Sequence, residues 1–144
     1  ACVHVWRADT GQDVFSAQTG SIPVAVDVHA ENQMVAALCL DNEIRILHMG
    51  TASTQLEILK DSDRQRTFAV RFSPAGSEIA APGSTLKFWV PKNFDVHPNN
   101  FCPDRITSSS LPGGDFYRAI DFDRNYRSIA TVTASGRIIV WKRK

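Results

Sequence analysis

Short runs in which apolar and polar residues alternate, each bounded by turn residues, recur along the whole chain. One set comprises VAVDVHA (24–30), FAVRFSP (68–74) and RAIDFDR (118–124). These runs align at Asp27, Arg71 and Asp121, and apolar residues flank each of the three positions on both sides. A period of two is typical of a β-strand with one buried face. The pattern therefore predicts three equivalent strands.

Two further sets repeat in step with the first. The runs MVAALCL (34–40), EIAAPG (78–83) and SIATVTA (128–134) are small, apolar and nearly continuous, as expected of strands buried on both faces. A more polar set predicts outermost strands, with RITSSSL (105–111) as a poorly defined third member after DVFSAQT (13–19) and QLEILKD (55–61).

A fourth set ends in tryptophan. Its members are VHVW (3–6), LKFW (86–89) and IIVW (138–141), and IRILH (44–48) is interpreted as a further copy with histidine in place of tryptophan. The spacings from Trp6 to His48, Trp89 and Trp141 are 42, 41 and 52 residues in turn. This regular spacing predicts that the tryptophans and His48 have one structural role, which is to pack between repeated units. It does not favour a role as ligand-binding platforms.

Each unit therefore consists of four short strands separated by turn sequences such as ADTGQ, LDNE, SPAGS, APGS and ASGR. The predicted fold class is all-β. One alternative remains within the run ASTQLEILKDSDRQRTF (52–68), whose periodicity also permits a helix. The predicted units are the end of a preceding unit at 1–12 and complete units at 13–50, 51–92 and 93–144.

A four-stranded repeat of about 40–45 residues with a terminal tryptophan resembles the blade of a WD40-repeat β-propeller. The segments VHVWRADTGQ and RIIVWK resemble the third strand of such a blade and its following turn. Gly20-Ser21 and Gly114-Asp115 resemble degenerate forms of the Gly-His pair before the first strand. The aspartate that the family places six residues before the tryptophan is replaced by Asn42, Gly83 and Ser135. The family's Asp–His–Ser/Thr–Trp hydrogen-bond tetrad is therefore predicted to be incomplete in every unit.

The resemblance implies a partial β-propeller of about three four-stranded antiparallel blades plus one N-terminal strand. A propeller closes with typically 4–8 blades, and stacked repeats need neighbours to bury their faces. Residues 1–144 are therefore predicted to be the C-terminal part of a single larger propeller. Alternatives are a split subunit and a half-propeller that associates with itself. For a larger propeller the remainder of the ring comes from a missing segment of the chain. For the two alternatives it comes from another chain.

The third complete unit carries an insertion at about 91–104. Trp6 precedes Gly20 by 14 residues, whereas Trp89 precedes Gly114 by 25. The Pro, Asn and Gly content of the added residues predicts a loop, and long loops often carry function. Its apolar residues, among them Phe94 and Phe101, either fold back on the blade or form a patch that binds a partner.

Composition narrows the functional classes. The net charge of +1 and the pI near 8.0 do not favour nucleic acid as a partner, and no apolar run reaches the ~20 residues of a membrane helix. Three widely spaced cysteines indicate a reduced, intracellular protein in the cytoplasm or nucleus. No phosphate-binding loop, nucleophile motif or metal-ligand pattern occurs, so neither catalysis nor a cofactor or metal is predicted.

The predicted function is a non-catalytic WD40-type interaction scaffold within a multiprotein assembly, which binds other proteins or peptides. Alternatives are an RNA-associated propeller of a ribonucleoprotein complex, and a regulatory propeller appended to an upstream enzyme or signalling domain. The candidate partner-binding residues lie in loops and turns. They are Asn42, Glu43, Arg64, Arg66, Thr85, Phe94, Phe101 and Asp115.

Overall fold

The structure, a computed structural model, describes residues 1–49, 56–59, 66–89 and 111–142. The described residues form twelve strands and one short 3-10 turn, Pro112–Gly114. The strands are β1 Cys2–Trp6, β2 Asp13–Gln18, β3 Pro23–His29, β4 Met34–Cys39, β5 Ile44–His48, β6 Leu56–Leu59, β7 Arg71–Phe72, β8 Ile79–Pro82, β9 Leu86–Trp89, β10 Tyr117–Phe122, β11 Ser128–Thr133 and β12 Ile138–Lys142.

The strands form four antiparallel sheets in which each strand pairs with the next one along the chain. The first sheet is β1-β2, the second β3-β4-β5-β6, the third β7-β8-β9 and the fourth β10-β11-β12. The all-β prediction is confirmed. Two of the three runs predicted to be outermost provide β2 and β6, which lie at sheet edges. Of the third, RITSSSL (105–111), only Leu111 lies among the described residues, and it is not part of a strand. The helical alternative for 52–68 is wrong for the part that the structure describes, since Leu56–Leu59 is a strand.

The register of the first strand is the same in the second, third and fourth sheets. Opposite Asp27, Arg71 and Asp121, the neighbouring strand places an alanine in each case. The three pairs are Asp27↔Ala36, Arg71↔Ala80 and Asp121↔Ala130. The prediction of three equivalent strands is therefore confirmed at the level of single residues.

The third strand of the second sheet requires a correction. Equivalent residues of the second strands pair with the tryptophans of the third and fourth sheets but with Leu47 in the second sheet. The pairs are Val35↔Leu47, Ile79↔Trp89 and Ile129↔Trp141. The placing of His48 in the tryptophan position is wrong by one residue. Leu47 occupies that position because the apolar face of β5 continues through it, and His48 is the counterpart of Lys142.

Consecutive sheets pack face to face, and each junction is an apolar layer. Between the first and second sheets lie Val3, Ala17, Val35, Ala37 and Leu47. Between the second and third lie Met34, Ala36, Leu38, Ile44, Ile46, Val70, Phe72, Ile79, Ala81 and Trp89. Between the third and fourth lie Ala80, Leu86, Phe88, Leu111, Tyr117, Ile120 and Ile129. Burial of these side chains is the main force that holds the sheets together.

The second strand of the second, third and fourth sheets, β4, β8 and β11 in turn, shows whether neighbouring sheets cover both of its faces. All residues of β4 and β8 are buried, which confirms the prediction from their continuous apolar runs. In β11, by contrast, buried Ile129 and Thr131 alternate with exposed Ala130 and Val132. The prediction of burial on both faces is wrong for β11, because in the described structure only the third sheet covers it.

The three tryptophans differ in burial although they occupy equivalent positions in the repeat. Trp89 faces the second sheet and is 5% exposed, and Trp141 packs against the layer next to the third sheet. Trp6 is 60% exposed and stacks on the His4 ring at a centroid distance of 5.7 Å. The packing predicted for Trp6 is therefore not formed. On β1, Val3 and Val5 face the second sheet, so Trp6 faces the opposite side, where the described structure places no sheet.

Candidate interaction surface

In the second, third and fourth sheets, the segment that enters the first strand lies beside the turn between the second and third strands. Leu40 N donates to Ile22 O at 2.9 Å, Ala134 N donates to Phe116 O at 2.9 Å, and Thr67 forms a bridge with Gly83. We call this edge of the sheets the turn rim. It comprises residues 19–22, 39–43, 66–67, 83–85, 114–116 and 133–137.

On the second sheet, the turn rim is built around a buried arginine. Arg45 is 6% exposed and donates to both carboxylate oxygens of Asp41, at 2.9 and 2.6 Å, and to Glu43 Oε2 at 3.2 Å. The hydrogen bond from Arg45 lowers the pKa of Asp41, and the same bond raises the pKa of Arg45. Two carboxylates neutralise the guanidinium, which makes its burial possible.

On the fourth sheet, Asp115 has the central place. Its side chain is 8% exposed and accepts hydrogen bonds from Ser135 Oγ at 2.5 Å, Ser135 N at 3.1 Å and Phe116 N at 2.9 Å, with Arg137 Nη2 at 3.4 Å. The hydrogen bond from the Ser135 hydroxyl is the main cause that lowers the pKa of Asp115. The carboxylate therefore joins the entry segment to the turn.

The second and fourth sheets use the same pair of residue types in exchanged positions. Ser21 precedes β3 where Asp115 precedes β10, and Asp41 occupies the turn position of Ser135. A hydrogen bond from Ser21 contributes to the lowered pKa of Asp41, as that from Ser135 does for Asp115. The sequence analysis identified Asp115, named Ser135 only as a replacement for the family's aspartate, and missed Asp41 and Arg45. The exchange of Ser and Asp at matching offsets is the signal that could have found them. The assignment of Asn42 to that aspartate position is wrong by one residue, because Leu47 takes the tryptophan position and Asp41 lies six residues before it.

Asn42 and Gly136 occupy one backbone position in these two turns, with φ of 62° and 85°. The amide of each donates to the carbonyl three residues earlier, Cys39 and Thr133, at 2.9 and 3.1 Å. Glycine adopts this left-handed conformation without a steric penalty, and asparagine tolerates it better than most residues. Asn42 is therefore explained by the turn itself.

On the third sheet, the turn rim is tighter. A Cβ added to Gly83 would lie 2.4 Å from Arg66 O, so only glycine allows this approach of the entry segment. Arg66 and Thr85 line one shallow cleft, whose wall also includes Lys87. The cleft thus brings together two of the candidate residues from separate loops.

The structure places five of the eight candidate residues on the turn rim, distributed over three sheets. Asn42 and Glu43 share one turn, Arg66 and Thr85 share the cleft, and Asp115 lies on the fourth sheet without a described contact to the other four. The remaining candidates, Arg64, Phe94 and Phe101, lie outside the described residues, as does the inserted loop predicted at about 91–104.

Part of the predicted incomplete tetrad is present on the fourth sheet. Trp141 Nε1 donates to Thr131 Oγ1 at 3.1 Å, and Thr131 Oγ1 donates to Ile139 O at 3.3 Å. Thr133 Oγ1 and Ser135 Oγ are 3.0 Å apart, next to Asp115. The tryptophan–threonine bond and the aspartate are therefore separate networks, with no histidine between them among the contacts described here.

Polar contacts also join the second and third sheets. Asp27 accepts from Arg71 Nη1 at 3.1 Å and from Phe72 N at 2.7 Å. The buried His29 ring accepts from Asn32 N at Nδ1, so its Nε2 donates to Pro74 O at 3.0 Å. Asp27 was recognised in the sequence as a repeat position, but its partner across the junction was not, because that contact spans more than forty residues.

The described cysteines and the buried Tyr117 are further reactive groups, and Cys39 lies next to Arg45. Cys2 and Cys39 are free thiols, and burial raises the pKa of Cys39. Burial also raises the pKa of Tyr117, whose hydroxyl has no hydrogen-bond partner among the residues described. Within the described ranges, no group of three or more metal-ligating side chains occurs. None of the helical structure found there is long and apolar enough to cross a membrane.

Comparison with known proteins supports the fold. No protein-family model matches the chain, and no curated protein matches it in sequence. Among solved structures, the chain is similar to the β-propeller domain of Cps50 (Swd1) from Myceliophteria thermophila, with a TM-score of 0.73 and 17% sequence identity. The match covers 99% of this chain and 48% of that one. The chain thus has a β-propeller fold and spans about half the length of the propeller that it matches.

Proposed function

We propose that this protein is a non-catalytic interaction scaffold whose turn rim binds other proteins or peptides within a multiprotein assembly. The observation that carries the proposal is the construction of the turn rim. Charged side chains of both signs are held in place there by their neighbours, as Asp41 is by Arg45 and Asp115 by Ser135. Groups fixed before binding lose little conformational freedom when a partner docks.

The exposed cations on the turn rim are the proposed contacts for an acidic partner segment. The side chain of Arg137 is 55% exposed, and Arg66 is exposed beside the cleft that Thr85 lines. An arginine that is fixed by a neighbouring carboxylate can still offer its remaining donors to a partner carboxylate. A protein partner is favoured over nucleic acid because the chain has a net charge of only +1 and a pI near 8.0, whereas a nucleic-acid surface is more densely basic.

The test compares charge reversals at the two ends of the sheets. Arg137→Glu and Arg66→Glu change the turn rim, whereas Arg7→Glu changes the turn after β1, at the opposite edge. Arg7 is a matched control, because its side chain is 59% exposed and also contacts an aspartate, Asp9, at 3.4 Å. Proteins retained by the immobilised chain are quantified first, and the dissociation constant of the most enriched one is then measured with each variant.

We expect Arg137→Glu or Arg66→Glu to weaken binding roughly tenfold, or by ~1.4 kcal/mol, because the new carboxylate repels an acidic segment that the arginine attracts. Arg7→Glu should leave binding unchanged. An equal loss in all three variants would contradict docking on the turn rim. Binding of RNA with a steep salt dependence would instead support the RNA-associated alternative.

A further inference from the structure

The second sheet has an apolar surface that the first sheet leaves uncovered. Val24, Val26 and Val28 on β3 are 52%, 52% and 47% exposed. In the third sheet the residues equivalent to Val26 and Val28 are Val70 and Phe72, which are buried under the second sheet. The two strands of the first sheet are too few to provide the same cover for β3.

The fourth sheet has an uncovered apolar surface on its opposite side. Ile138, Val140 and Val132 are 73%, 59% and 38% exposed. The equivalent residues of the second sheet, Ile44, Ile46 and Leu38, are 2%, 0% and 1% exposed because the third sheet covers them. The array of sheets therefore has one apolar face at each end. One lies on the side of the second sheet that faces the first sheet, and the other lies on the side of the fourth sheet that faces away from the third.

Strands β1 and β12 carry the same side-chain pattern. VHVWR (3–7) and IIVWK (138–142) both end in tryptophan followed by a cation, with β-branched residues at alternate positions. On β1, Val3 and Val5 pack toward the second sheet while pairing with Ala17 and Phe15 of β2. On β12 the matching positions are Ile138 and Val140, which point away from the third sheet and have no cover in the described structure. Strand β12 thus has the side chains needed to take the place of β1.

We propose that two copies of this chain close one propeller, with β12 of each copy displacing β1 from β2 of the other. In each half of the dimer, β12 of one copy pairs with β2 of the other, and β10-β11-β12-β2 becomes a complete four-stranded sheet. Its outer face, with Val132, Ile138 and Val140, then covers Val24, Val26 and Val28 of the other copy.

The geometry of a closed ring supports a second copy of the chain as the partner of the two apolar faces. Each copy contributes its second sheet, its third sheet and one shared sheet, so the closed ring has about six blades, within the usual range of 4–8. The chain spans 48% of the propeller that it matches, so two copies supply about one full domain. The two contacts between the copies are equivalent and related by a two-fold axis, which is the commonest symmetry of protein dimers.

The repeat also identifies one unfavourable contact in the closed ring. Within the chain, Asp27 reaches the equivalent position of the next sheet, where Arg71 neutralises it. At the proposed junction, Asp121 faces Asp27 of the second copy, and two like charges repel. We therefore expect Asp121→Asn to strengthen the dimer.

The experiment measures the molar mass of the 144-residue chain by light scattering at several concentrations. The expected mass is twice the monomer value of 15.9 kDa. A disulfide variant, Val5→Cys with Phe15→Cys, locks β1 onto β2, since these residues are directly paired. It carries Cys2→Ser, Cys39→Ala and Cys102→Ser, and the same chain without the new cysteine pair is its control. The locked variant should be monomeric when oxidised and dimeric after reduction.

Val140→Glu supplies an independent variant that should remain folded as a monomer, because Val140 is already 59% exposed. Leu40→Glu is its control, at a residue that is 62% exposed on the turn rim and outside both apolar faces. Only Val140→Glu should lose the dimer. A wild-type chain that is monomeric at every concentration, or a locked variant that still dimerises, would overturn the proposal. Neither outcome bears on turn-rim binding, which the arginine variants test separately.

Discussion

At the scale of single residues, the turn rim depends on a few carboxylates that each satisfy several donors. Asp115 accepts four hydrogen bonds from three residues, and Asp41 holds a buried guanidinium with both of its oxygens. Bonds of this kind are stronger than those between neutral groups and fix the geometry of both partners. The polar surface of this protein is therefore as specifically arranged as its apolar layers.

Asp115→Asn is expected to lower the stability of the folded chain at neutral pH. The pKa of Asp115 lies below its ordinary value in the folded state because Ser135 donates to the charged form, so this carboxylate stabilises the fold above an unfolded pKa of about 3.9. That contribution is lost as the pH falls through the folded pKa. Urea midpoints of wild type and variant should therefore differ at pH 7 and converge under strongly acidic conditions.

Asp9→Asn is the control for this titration, since Asp9 is 66% exposed and has one described ion pair, with Arg7. Its urea midpoint should match that of the wild type at both pH values, as expected for an exposed pair. A difference between Asp115→Asn and wild type that persists in acid would show that the amide disturbs the turn sterically.

At the scale of elements, stability resides in the layers between sheets. A single sheet of three or four strands has two faces, and one of them must be covered before the strands are stable. The third sheet is covered on both faces, with β8 buried throughout, and it packs on the second sheet through Phe72, Ile79 and Trp89. The sheets should therefore unfold together rather than one at a time.

Ile79→Ala is expected to reduce the free energy of unfolding by about 2–5 kcal/mol, because it leaves a cavity between the second and third sheets. Ile79 is fully buried, whereas Ile58 on β6 is 43% exposed. Ile58→Ala removes the same atoms from a partly solvated site and should cost less than about 1 kcal/mol. Chemical denaturation of both variants checks the prediction, and equal losses would show that the layer between these sheets is not the main source of stability.

At the scale of the whole molecule, the described structure is an open row of sheets. Each inner junction buries apolar side chains on both sides, but Val26 and Val140 at the two ends remain about half exposed. Exposed apolar faces of this kind mark association surfaces. The two outer faces of the described structure are therefore the surfaces on which the proposed second copy would pack.

If a second copy covers these faces, the melting temperature must rise with protein concentration, because mass action favours the associated state. We expect the wild-type chain to melt at higher temperature as its concentration increases. The oxidised Val5→Cys, Phe15→Cys variant should instead melt at one temperature throughout. Calorimetric scans over a hundredfold range of concentration check this, and a wild-type melting temperature that does not change would contradict closure by a second copy.

Much of the fold could be predicted from the sequence, because strands and turns are encoded locally. Alternation around Asp27, Arg71 and Asp121 is visible within seven residues and gave the correct register of three sheets. The candidate site was predicted less well. The turns containing Asn42, Thr85 and Ser135 were found from their composition, whereas the contact between Ser135 and Asp115 was missed because twenty residues separate them.

The amino-acid sequence by itself determined where most of the described strands and turns lie and in what order they follow, since side-chain alternation and turn chemistry act over a few residues. It overestimated the strand predicted over 68–74, of which only Arg71–Phe72 is a strand. Only the tertiary structure decided that Leu47 rather than His48 takes the tryptophan position, and that Trp6 is exposed while Trp89 is buried. It also decided that Asp27 is neutralised by Arg71. These outcomes depend on which sheet packs against which face, and that arrangement is set by contacts between residues far apart in the chain.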